Sequence, residues 1–270
     1  MNILRTKKAL MEIFPDLPAN APNVPYTGYL QMSRFLLNSQ PEFQDWNESS
    51  ASSLLFVSGS TAWQGRRKMG FLHCWLSPVA IYVAEDALQK KEKMIFFSCL
   101  PMLIDEPISA HTVISSIIIQ ILHQKPEMLR DNYDRFRRYV AKEGASWSFQ
   151  SLLHVLIQVL NELRDPIVII IDRLDLAYRV SVSTVLNGLA QVITAVDGGS
   201  SKVKIMVIAE TSRGNAEWRS DWLSKHDYAL NRIFAIQDWP QLKLTTQESS
   251  RRDRPLIWDH ESLIPDIPIR

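Results

Sequence analysis

The sequence predicts a three-layer α/β domain built around a mainly parallel sheet, and three observations carry that expectation. Residues 167–171 are five consecutive β-branched residues, Ile-Val-Ile-Ile-Ile, which make a strand apolar on both faces. Other short apolar runs, at 54–57, 94–100 and 204–209, share that character. Segments with helical spacing separate these runs, so the connections are crossovers and the strands lie parallel.

The elements follow in chain order. A short N-terminal helix is cut off by residues 15–25, where four prolines prevent a helix from continuing. A polar stretch, Asn47 to Ser53, leads into a first buried strand at Leu54–Val57, and Met94–Leu100 forms a second. Val113, Ile114, Ile117, Ile118 and Ile121 fall on one face of a helix over 108–124. Two further helices are expected over 126–142 and 148–163. The strand at 167–171 comes next, and then a helix from about 180 to 196. A turn at Asp197-Gly198-Gly199-Ser200 precedes a strand at Lys204–Ala209, and Arg232–Ile236 is a fifth strand. The expected organisation is a helix and proline-rich linker over 1–40, the α/β domain over 41–240 and a polar tail over 241–270.

Composition narrows the class. The chain has 270 residues, 46% of them hydrophobic and 22% charged, with a net charge of +1. No global field points to nucleic acid or to an anionic membrane, and neither is expected as a partner. Two cysteines, Cys74 and Cys99, are too few for a disulfide scaffold or a four-cysteine zinc site. They read as half-buried thiols. No run approaches the ~20 apolar residues that cross a bilayer, and the expected location is the cytoplasm.

The chemistry gathers at strand ends. The 167–171 strand runs into Asp172, with a second carboxylate at Asp175. In P-loop NTPases, an aspartate in this place holds the magnesium of a bound nucleoside triphosphate. Asp172 is therefore the candidate magnesium ligand. Asp175 alternatively caps the next helix, and Asp172 alternatively pairs with Arg173 or Arg66.

A working phosphate loop needs Gly-x-x-x-x-Gly-Lys-Ser/Thr between the first strand and a helix. Here the strand is followed by Ser58-Gly59-Ser60-Thr61-Ala62-Trp63-Gln64-Gly65-Arg66-Arg67-Lys68. The context suits a phosphate loop and the residue types do not. The Gly59–Gly65 spacing is one residue too long, Arg66 replaces lysine, and Arg67 replaces the hydroxyl. The candidate nucleotide-binding positions are Gly59, Gly65, Arg66, Arg67 and Lys68, in a degenerate form. Thr211, Ser212 and Arg213, beyond the 204–209 strand, stand where a γ-phosphate sensor would sit. Without that context, an ordinary strand-end turn would be the preferred account of them.

Taken together, Phe43-Gln44-Asp45-Trp46, Ser53–Gly59, Ile169–Asp175 and Ile205–Arg213 resemble the fungal NACHT-like branch of the STAND nucleotide-switch proteins, over about residues 40–240. The resemblance implies the sheet order of additional-strand NTPases. The Asp172 strand would be second from one edge, and the Val57 strand central and beside the Lys204 strand. It also implies ATP or ADP with magnesium as ligand and a switch in oligomeric state. The departures in the phosphate loop, and the shortness of the chain beyond 240, point instead to a catalytically silent module acting through protein partners. A nucleotide switch with an atypical loop and a structural remnant of a longer receptor-like protein are the alternatives.

Three other constellations weigh less. His73 and Cys74 are adjacent, and neighbouring helix positions do not face each other as a nucleophile and base must. The run Arg130, Arg135, Arg137, Arg138, Lys142 is interleaved with Asp131, Asp134 and Glu143, which reads as a solvated face. Of eight tryptophans, Trp218 and Trp222 share a helix face and form a candidate protein interface.

Overall fold

The computed structural model describes residues 33–59, 77–99, 108–131, 148–177, 182–196, 198–199, 201–210 and 232–236. After helical residues 33–38 come α1 (Pro41–Glu48), β1 (Ser53–Gly59), α2 (Ser77–Gln89), β2 (Lys93–Ser98) and α3 (Ala110–Gln124). They are followed by α4 (Pro126–Asp131), α5 (Phe149–Glu162), β3 (Ile167–Asp172), α6 (Val182–Val196), β4 (Val203–Glu210) and β5 (Ile233–Ile236). A single 3-10 turn, Leu174–Leu176, follows β3.

The strands form one sheet in the order β2-β3-β4-β1-β5, and every pairing is parallel. This is the arrangement of a P-loop NTPase-like domain. The strand ending in Asp172 is second from an edge, and β1 lies beside β4, as the sequence led us to expect. One detail differs: β4 occupies the middle of the sheet and β1 sits between β4 and β5. The reason is that β5 alone lies beyond β1, through Ile233–Ile236, whereas both β2 and β3 lie beyond β4.

Alternation along the strands separates two layers of helix. Leu54, Phe56, Ile95, Phe97, Ile167, Ile169, Ile171, Val203, Ile205 and Val207 share one core with α3, α5 and α6. On the opposite face, Leu55, Val57, Phe96, Val168, Ile170, Met206 and Ile208 are equally buried. There α2 packs on β2 and β3, and α1 on β1 and β5. Because both faces are covered, β3 is buried along its whole length, which accounts for its unbroken apolar run. Each such side chain contributes about 1.5–3 kcal/mol on burial.

Local signals set the helix ends. Ser109 and Thr112 form a reciprocal capping box at the start of α3, and Ser148 accepts from the Ser151 N–H at the start of α5. Gly188 lets α5 and α6 approach closely, since a Cβ there would lie 2.7 Å from Leu153 Cδ1. Helix α1 escaped the sequence assignment although Pro41 at its first turn and the buried pair Phe43 and Trp46 mark it. It is held to the sheet by Lys204, whose Nζ donates to the Asn47 carbonyl and lies 5.3 Å from the Trp46 ring centroid. Among the described residues no helix is long and apolar enough to cross a membrane.

Candidate functional site

The parallel register brings the carboxyl ends of the strands together. Ser98 of β2 stands opposite Asp172 of β3, and the Cys99 N–H extends the ladder by donating to the Asp172 carbonyl at 2.9 Å. Because side chains alternate, Ser98 and Asp172 point away from the α3–α5–α6 core, towards α2. Ser77, the first described residue of α2, meets them there.

Asp172 is fully buried. Ser77 Oγ lies 3.0 Å from both of its carboxylate oxygens, and Ser98 Oγ lies 3.1 Å from Oδ2. Burial pushes the Asp172 carboxyl up to about 6. The positive charge of Arg173 and the two serine hydroxyls oppose that rise, while the charge of Asp175 adds to it.

Arg173 turns the chain at the strand end. It adopts the left-handed conformation at φ 57°, ψ 48°, unusual for a residue with a side chain, and is itself fully buried. Its guanidinium grips Asp175 as a fork, with Nε 3.1 Å from Oδ1 and Nη2 2.8 Å from Oδ2. A buried guanidinium needs such a partner to offset its desolvation. The sequence had left Asp172 to pair with Arg173 or Arg66 and Asp175 to cap a helix. Arg173 bonds Asp175, two residues on, rather than Asp172, which accepts from two serines, and Arg66 lies outside the described residues.

Other expectations fall around this cluster. Gly59, expected in the loop, is the last residue of β1, paired with Glu210 and buried. Gly65, Arg66, Arg67, Lys68, Thr211, Ser212 and Arg213 lie outside the described residues, as do His73, Cys74, Trp218 and Trp222. Of the basic run only Arg130 is described, in α4. Cys99, expected half-buried, is fully enclosed because its side chain joins the α3–α5–α6 core. Burial, together with the charges of Asp172 and Asp175, holds its thiol well above the ordinary value, so it is not a reactive thiolate.

Ser77 and Ser98 were not singled out from sequence. Ser98 becomes visible only when β2 is placed in register with β3. Ser77 carries a faint signal, as a hydroxyl directly before Pro78 at the start of an apolar helix. Chemically the cluster is an ionisable carboxylate already accepting from two hydroxyls, beside a second carboxylate already chelated by an arginine.

The family described as Nephrocystin 3, N-terminal matches residues 76–213 of this chain. The chain belongs to that family. The Nephrocystin 3, N-terminal match takes in Ser77, Ser98, Asp172, Arg173 and Asp175 and begins after the degenerate loop at 59–68. Among solved structures, the chain is similar to the Aeropyrum pernix ORC1 protein in complex with DNA, with a TM-score of 0.42 and 17% identity over 83% of this chain and 48% of that one. It is similar to Aeropyrum pernix ORC2 in its ADPNP–ADP complexes, with a TM-score of 0.41 and 13% identity over 80% and 48%. It is also similar to Drosophila ORC bound to DNA, with a TM-score of 0.33 and 14% identity over 87% and 47%. The chain spans about half the length of these structures. No curated protein matches it.

Proposed function

We propose that the domain is a catalytically silent NACHT-like module of the fungal STAND class, acting as a regulatory or protein-interaction component. The observation that carries this reading is the state of Asp172. Its two oxygens accept from Ser77 and Ser98 within a fully buried setting, and the neighbouring Asp175 is occupied by Arg173. A carboxylate meant to serve a nucleotide's metal needs an oxygen open to the ligand. The sequence adds Arg66 and Arg67 where a phosphate loop requires a lysine and a hydroxyl. With no chemistry to perform, the fold would act by presenting a surface to a protein partner.

One observation favours a second reading, a nucleotide-binding switch with an atypical loop. The Ser77 hydroxyl beside Asp172, at the described start of α2, is the kind of hydroxyl–carboxylate pair found where a phosphate loop meets the sheet. In that reading, Arg66 or Lys68 would reach the phosphates of ATP or ADP.

Calorimetric titration with ATP and ADP, each with and without magnesium, separates the two readings when Asp172→Ala is run in parallel. The silent module gives no heat and no thermal shift at millimolar nucleotide. Binding that requires magnesium and disappears in Asp172→Ala would overturn it and support the atypical switch.

A further inference from the structure

We propose that Arg173 is a built-in counter-cation that takes the place of the divalent metal ion at this site, so that Asp172 and Asp175 do not hold one. The inference deepens the silent-module reading and rests on it for its setting.

Magnesium is the ion the fold implies, and the donor set does not suit it. Magnesium asks for oxygen ligands in near-octahedral geometry with several retained waters. At a nucleotide site it is held through one or two carboxylates together with the phosphates, so the state of Asp172 and Asp175 decides whether it can be held here. The two carboxylates present are committed elsewhere. Both oxygens of Asp175 lie within 3.2 Å of Arg173 nitrogens, in the planar two-point match that an arginine makes and a lysine cannot. Asp172 is enclosed by Ser77 and Ser98 with no exposed surface.

The backbone points the same way. A left-handed conformation at a residue with a Cβ costs roughly 1–2 kcal/mol and persists only where the surroundings hold it. Arg173 accepts that strain directly after Asp172, and the turn carries its guanidinium to Asp175 in the short helix that follows. A surface arginine would need neither the strain nor the complete burial. Both are accounted for if a positive charge is required between the strand end and Asp175, and the arginine supplies it as part of the chain.

The test uses manganese as a paramagnetic stand-in for magnesium, and NMR of the Arg173 Nε–H in the wild-type chain. Manganese up to millimolar concentration is expected to leave that resonance as sharp as those of the distant helices, in the presence or absence of ATP. Selective broadening that is reversed by excess magnesium would overturn the proposal. Arg173→Gln, which keeps a polar side chain without the charge, is expected to open the site and raise manganese affinity at least tenfold, with the gain lost in Arg173→Gln/Asp172→Asn. A folded Arg173→Gln that binds no more manganese than wild type would also overturn it. If that variant does not fold, the wild-type broadening decides alone. The two readings fail separately. ATP binding without broadening removes the silent module and leaves the counter-cation, whereas broadening without nucleotide binding does the reverse.

Discussion

Ser77 Oγ sits 3.0 Å from both carboxylate oxygens of Asp172, joining residues 95 positions apart in sequence. The contact ties the first described turn of α2 to the end of β3. A hydroxyl serving a buried carboxylate is worth more than an exposed one, because its loss leaves a charged acceptor short of a donor. Ser77→Ala should therefore destabilise the domain by about 1.5–3 kcal/mol in urea unfolding at neutral pH. A change under a few tenths would mean that water replaces the hydroxyl.

The buried Asp172 makes stability depend on pH with a definite sign. Its folded value is raised from 3.8 to about 6, so between those values the folded state binds more protons than the unfolded chain. Stability from this group is complete below about pH 4 and is lost as pH rises through about 6, by an amount on the order of 3 kcal/mol. Asp172→Asn removes the titration. The stability of wild type minus that of the variant should fall between pH 4 and 7, and a flat difference would contradict the shift.

Arg173 combines a charge with a strained backbone, and two substitutions separate them. Arg173→Ala and Arg173→Gly both remove the guanidinium from Asp175, but only glycine adopts φ 57° without steric cost. Glycine should be the more stable of the two by about 1 kcal/mol, after allowing for its more flexible unfolded chain. Thermal or urea unfolding of the pair reads this directly, and equal stability would show that the turn relaxes when the arginine is gone.

At the other end of the sheet, Lys204 titrates in the opposite sense. Burial, aided by the nearby Lys202, lowers its amine to about 8. Between that value and 10.5 the unfolded chain binds more protons, so stability from this group rises with pH across the window. Lys204→Met keeps the packing on Trp46 without the charge. Its stability relative to wild type should fall as pH is raised from 8 to 10, and an unchanging difference would exclude the shift.

Much of the fold could be read from residue patterns, because a strand buried on both faces must be apolar at every position. Ile167–Ile171 shows this plainly, and Val113–Ile121 shows the helical equivalent in α3. The position of Asp172 at the end of β3 was legible for the same reason. Helix α1 was missed because Phe43 and Trp46 give only two apolar anchors in a short polar stretch. The sequence by itself determined the strands, the crossovers other than α2 between β1 and β2, and the carboxylate at a strand end, since these depend on spacing along the chain. Only the tertiary structure decided which groups meet there. Ser77, Ser98 and Asp172 come from three separate elements, and their meeting depends on strand register and helix placement. The grip of Arg173 on Asp175 depends on a left-handed turn that composition does not announce. Pairing in a buried site is settled by which partner the backbone brings within hydrogen-bond reach, and nearness in sequence is a poor guide to that.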